Sequence, residues 1–114
     1  MGCEWGVKMR TKSYELAKLE RYRTSIFTDD LKVCYLCGLK GIVRAASDKH
    51  EILYGSNRKN SMLFGYVLPL CRTCHDSMHK NHVLTKLWCK KCQIYHEKKY
   101  GVQDWFDKFH RNYI

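Results

Sequence analysis

The sequence predicts a small α+β domain built on a two-knuckle, four-cysteine zinc site with helical flanks. Three observations carry that prediction. Cys34/Cys37, Cys71/Cys74 and Cys89/Cys92 all stand at the C-x2-C spacing with which a turn presents two thiolates to one ion. Short runs bounded by turn residues lie between the first two pairs and read as strands. Helical periodicity marks the chain before the first pair and after the second. At 114 residues the chain is the size of one domain, and a structural metal would help so small a core.

The elements follow in order. Residues 1–30 read as a basic helical arm and residues 31–114 as the zinc-containing domain. Tyr14, Leu16, Leu19, Tyr22 and Ile26 recur at roughly helical intervals between Thr11 and Phe27. Lys8, Arg10, Lys12, Lys18, Arg21 and Arg23 make this segment basic. It reads as an amphipathic helix covering the domain, as a DNA-binding arm, or as both. Thr28-Asp29-Asp30 supplies turn chemistry. Val33 to Gly41 is the first knuckle, and Gly38, directly after its second cysteine, suits a tight backbone. Ile42 to Ala46 and Asp48 to Tyr54 read as strands, the second closed by Gly55-Ser56-Asn57. Asn60 to Phe64 is irregular or briefly helical. Gly65 to Leu70 forms a strand delivering the second knuckle, with Pro69 marking an edge or an end. Ser77 to about Tyr100 reads as mostly helical, and Gln103 to Phe109 as a last short helix.

Charge and cysteine usage narrow the setting. Twenty-one Lys and Arg against 11 Asp and Glu leave a formal charge of +10. That excess favours a polyanionic partner, nucleic acid before membrane, although a merely solvated basic surface has the same composition. The cysteine count of seven is odd and six of them stand in pairs at metal spacing, which argues against a secreted disulfide framework. The start of the chain lacks the apolar core of a signal peptide, and no stretch reaches transmembrane length. Met1-Gly2-Cys3 hints at acylation, but Gly6 stands where that motif needs Ser or Thr. The expected compartment is reducing and cytoplasmic.

Cys34, Cys37, Cys71 and Cys74 together make a tetrahedral four-thiolate set, the donor set of a closed structural zinc. Cys89 and Cys92 are open to three readings. They pair with either knuckle, join His96 in a separate site, or sit as i,i+3 thiols of a helix. Cys3 has no partner at this level. The histidines are the candidates for chemistry. His75 and His79 share a helix face at i,i+4. His50, in SDKHEILYG, is the candidate third ligand of an ion with open coordination positions.

The order C-x2-C, His-Glu-Ile on a strand, an Asn-rich loop, then LCRTCHDSMH resembles the HNH endonucleases with the ββα-metal fold. The resemblance is close from Cys34 to about His79, and the continuation to FHRNYI looks like small prophage-encoded members. It implies a ββα-metal core, a bacterial host cell and metal-dependent hydrolysis of DNA phosphodiester bonds, with duplex DNA as partner. It implies His50, His75 and His79 as ligands of a catalytic Mg2+, Mn2+ or Zn2+, of which three imidazoles argue against a pure Mg2+ preference. In the register anchored on Ile52, Glu51 takes the general-base position that the family gives to an imidazole. The alternative register makes His50 the base and Asp48 a ligand. The family's central asparagine is matched by Asn57 or Asn60, and Arg58 and Lys59 would stand near the scissile phosphate. The reading from another class is a non-catalytic zinc protein of phage origin that binds DNA or RNA, and a third is a structural zinc protein that docks a partner protein.

Overall fold

The computed structural model describes residues 14–114. Cys3, Lys8, Arg10 and Lys12 of the expected arm lie outside the described residues. Helix α1 covers residues 14–21, and the chain then runs extended along the domain. That extended stretch is tied down rather than free. Ile26 N–H donates to Gly65 O at 2.9 Å, Ser25 Oγ donates to Val67 O at 2.6 Å, and Ile26 and Phe27 pack on the core.

The first knuckle contains a short helix, α2 (Tyr35–Leu39), and Gly38 lies inside it. Gly38 does not have the left-handed backbone of a tight turn, and a Cβ there would meet nothing within 4 Å. Gly41, at φ 78°, makes the turn instead. Ile42 to Ala46 is not a strand, because its backbone groups close the knuckle. Ile42 N–H donates to Cys37 O (2.9 Å), Cys34 N–H to Arg44 O (2.7 Å) and Ala46 N–H to Lys32 O (2.8 Å). Only an isolated Val33–Ala45 bridge remains, and Val43 is 89% exposed.

Strands β1 (Asp48–Glu51) and β2 (Val67–Leu70) form a two-stranded antiparallel sheet, in which His50 faces Leu68 and Glu51 faces Val67. β1 is shorter than the run Asp48 to Tyr54, which turns away after Ile52 donates to Tyr66 O. A 3-10 turn at Gly55–Asn57 leads into α3 (Arg58–Leu63). All four residues of β2 are buried, and Pro69 pairs with Lys49 at the strand end nearer the second knuckle.

Two helices replace the one expected from Ser77 to Tyr100. α4 (Arg72–Lys80) starts directly after Cys71, and α5 (His82–Tyr100) starts after Asn81, whose side chain accepts from Leu84 N–H at 3.0 Å. That is an N-cap, and it breaks the helix axis at Asn81. α6 (Val102–Phe109) packs back on α5. Trp105 stacks on Phe109 with ring centroids 4.3 Å apart, beside Tyr66 and the fully buried His96. No described helix is long and apolar enough to cross a membrane.

Candidate metal centres

Two ligand clusters occur among the described residues, and they share the stretch from Cys71 to His79. The first joins Cys34, Cys37, Cys71 and Cys74, with all four sulfurs within 4.8 Å of one another. Cys34 is the N-cap of α2 and Cys37 lies within it, while Cys71 follows β2 as the N-cap of α4 and Cys74 lies in the first turn of α4. Cys37 Sγ is 3.8 Å from Cys71 Sγ and 3.7 Å from Cys74 Sγ. A tetrahedron with Zn–S bonds of about 2.3 Å has edges of about 3.8 Å, so both separations suit zinc. Burial pushes the Cys37 and Cys74 thiols up, whereas the Cys74 backbone amide pulls Cys71 down to about 6. Four thiols this close cannot all ionise without a cation, and a divalent ion supplies it. The four cysteines can therefore hold a metal ion such as zinc.

The second cluster joins His50 of β1 with His75 and His79 of α4, again with ligand atoms within 4.8 Å of one another. The i,i+4 spacing sets the two α4 rings side by side, their Nε2 atoms 3.0 Å apart. Two ligands on bonds of about 2.1 Å stand about 3.0 Å apart at a right angle and about 3.4 Å apart in a tetrahedron. The observed 3.0 Å is a hydrogen-bond distance between the two rings, and an ion could replace that contact with little movement of either ring. His50 Nε2 is buried with no hydrogen-bond partner, a cost that a ligand at that atom would remove. Burial first, and then the neighbouring His75 and His79, hold His50 down at about 4, so it is a neutral imidazole at pH 7. Asp48 Oδ2 is 3.1 Å from His75 Nδ1. Donation from Nδ1 to that carboxylate leaves the His75 Nε2 lone pair facing the cluster, the orientation that carboxylates give to metal-binding imidazoles. The donor set fits a divalent transition metal.

Both histidine-bearing elements open on a cleft of about 330 Å³. Arg23, Lys49 and Arg58 give it three cations, against the single carboxylate of Glu51. Glu51 is held from two sides: Arg23 Nη2 donates at 3.2 Å and Arg58 Nε at 2.5 Å. Arg58 also reaches Glu20 at 3.1 Å. Of the two candidate loop asparagines, Asn57 donates to Phe109 O and Asn60 to Lys108 O, both at 3.0 Å. Asn57 ties the 3-10 turn, and Asn60 ties α3, to the end of α6. Lys59 stands apart from the cleft lining and meets Glu15 at 3.6 Å.

The third cysteine pair lies elsewhere. Cys89 and Cys92 are fully buried on α5, and Cys89 Sγ donates to Ile52 O at 3.5 Å. His96 does not join them, because both of its nitrogens are engaged. Tyr66 Oη lies 2.5 Å from Nδ1, and Asp104 Oδ2 lies 2.7 Å from Nε2. Burial pushes the Tyr66 hydroxyl up, so it remains the proton donor in that pair. His96 in turn holds the Asp104 carboxyl below its usual range.

Sequence reasoning did not find the orienting role of Asp48, the pairing of Arg23 with Glu51, or the Tyr66–His96–Asp104 chain. Only the first left a trace in the sequence, since Asp48 and His50 sit two apart on one strand face. No family model, no curated protein and no solved structure matches the chain.

Proposed function

We propose that the chain is a metal-dependent DNA endonuclease of the HNH type, with a ββα-metal core comprising β1, β2 and α4. The observation that carries this reading is the three-imidazole cluster, with its orphaned His50 Nε2, on the wall of a cationic cleft. His50, His75 and His79 would hold the ion, and Cys34, Cys37, Cys71 and Cys74 a separate structural zinc. A Mg2+, Mn2+ or Zn2+ ion there supplies Lewis-acid polarisation of a phosphoryl oxygen and stabilisation of the leaving oxygen.

The chain's own residues do the rest. Asp48 fixes the His75 tautomer and ring plane through Nδ1. Lys49 and Arg58 draw the phosphodiester into the cleft. Glu51 takes the proton of the attacking water on the lone pair its arginine contacts leave free. The alternative register, with His50 as base and Asp48 as ligand, has less support, because Asp48 is hydrogen-bonded to His75 and His50 lies within the ligand cluster.

One observation favours a second reading, a non-catalytic zinc protein that binds DNA or RNA: Glu51 Oε1 already accepts from both guanidinium groups, and Oε2 lies 3.2 Å from Arg23 Nη2. Plasmid nicking separates the two. Protein purified with one zinc equivalent is assayed alone and with added Mg2+, Mn2+ or Zn2+. The endonuclease reading expects nicking only with the added ion. Duplex binding without nicking in any of the three ions would leave the second reading.

A further inference from the structure

Glu51 and Glu20 hold the same two arginines in a closed ring of alternating charge. Arg58 meets Glu51 at 2.5 Å and Glu20 at 3.1 Å, while Arg23 meets Glu51 at 3.2 Å and Glu20 at 3.7 Å. The two carboxylates are not equivalent. The Glu51 side chain is 9% exposed and belongs to β1, whereas that of Glu20 is 41% exposed and belongs to α1. An exposed ion pair contributes at most about 1 kcal/mol and exchanges readily. Arg23 also keeps a buried Nε with no partner, so the ring holds more donor capacity than its carboxylates use.

We propose that the Glu20 carboxylate occupies an anion seat, formed by the guanidinium groups of Arg23 and Arg58, that a backbone phosphate of nucleic acid takes over. Resting on the phosphodiester reading of the histidine cleft, this adds a second phosphate position beside it. Arg23 and Arg58 line that cleft, and Arg58 with Gly55 also lines a neighbouring cleft of about 320 Å³ that reaches Lys59. A strand lying across the histidines would therefore bring its next phosphates along these guanidinium groups. The planar fork of arginine accepts a phosphate in the geometry in which it accepts a carboxylate. Glu20 is thus a built-in competitor that keeps the seat filled when no nucleic acid is bound.

The test is the affinity of the full chain for a short duplex at low salt, without added divalent ion. Glu20→Gln empties the seat and is expected to tighten binding about three- to fivefold, the scale of one exposed ion pair. Asp107→Asn is the control: it changes the net charge equally at an exposed position of α6 whose side chain accepts, among the described residues, only from Gln103, with an expected gain below about 1.5-fold. Arg58→Ala should weaken binding and lower the slope of log affinity against log salt by about 0.9, one phosphate contact. In the double variant Glu20→Gln/Arg58→Ala the gain from Glu20→Gln should shrink by more than half, because one of the two guanidinium groups is gone. Equal gains from Asp107→Asn and Glu20→Gln, or additive effects in the double variant, would overturn the seat. Nicking by the parent with added metal is scored separately. Its absence, with the binding cycle intact, would remove the endonuclease reading and keep the seat.

Discussion

The two ligand clusters are built from one short stretch of chain, yet they are opposites. Cys71 and Cys74 face the first knuckle, while His75, the next residue, and His79, one helical turn further on, face β1. The cysteine cluster has four donors, three of them buried, at separations that suit a closed tetrahedron. The histidine cluster has three donors graded from buried to exposed, with the His75 and His79 Nε2 atoms 3.0 Å apart. A closed donor set leaves no room for a substrate oxygen, whereas three donors leave positions free. The difference shows how one helix can lend ligand atoms to two clusters of different character. It also fixes what substitution should do in each region.

The largest effect is expected at the cysteines. Cys37 sits at a corner of the tetrahedron, less than 4 Å from two other sulfurs, and is itself buried. Cys37→Ser should lose one metal equivalent and the cooperative melt together, since metal affinity in so small a domain is largely folding free energy. Retention of both the metal and the melt would show that the fold does not depend on this cluster.

The histidines should show the reverse pattern. His79 is exposed and His75 half-buried, so neither carries much of the core. His75→Ala and His79→Ala are each expected to abolish nicking and the second metal equivalent while keeping the first. The cost in stability at the exposed His79 should stay near about 0.5 kcal/mol. Were His79→Ala to lose both equivalents, the clusters would be one coupled site and the contrast between them would fail.

A smaller and more selective effect separates ligand from base. Glu51→Gln should keep both metals and lose about 10²–10⁴-fold in nicking rate, the scale of a general base. The same substitution also weakens the pairs with Arg23 and Arg58, so Arg23→Gln is the control, breaking the Glu51 pair from the other side. Equal rate losses in the two variants would make Glu51 a positioning residue. His50→Ala should lose the second metal and activity together if His50 is a ligand, and activity alone if it is the base. Metal content of that variant decides between the two registers.

How much of this was legible in the sequence follows from what each feature depends on. The cysteine pairs and the His75/His79 pair are local spacings, and local spacing maps directly onto a turn or a helix face. His50 was legible because a strand fixes which side chains share a face. The Asn81 break left a readable sign, a capping residue inside a periodic run, but helical periodicity on both sides outweighed it. The missing strand at Ile42 to Ala46 had no such sign: its residues favour strand, and the knuckle's demand for hydrogen bonds overrides them. The ring of Arg23, Glu20, Glu51 and Arg58 joins distant segments, and only its Glu20–Arg23 edge, an i,i+3 pair, is a spacing in the sequence.

The third cysteine pair gives the smallest expected effect and the cleanest control on the contrast. Cys89 and Cys92 repeat the spacing of the knuckles, yet α5 runs through both and directs them into the core. Burial pushes the Cys89 thiol up to about 11 and Cys92 up as well, so both stay protonated at neutral pH. A protonated, buried thiol is a small apolar group rather than a metal ligand. In Cys89→Ser the hydroxyl can still donate to Ile52 O, as the thiol does at 3.5 Å. The expected loss is therefore about 1 kcal/mol, with both metal equivalents and the nicking rate unchanged. The result turns on backbone context: C-x2-C in a turn presents two sulfurs to one ion, and C-x2-C in a buried helix lines a core. Loss of a metal equivalent in Cys89→Ser would break that rule here and make the third pair a ligand set after all.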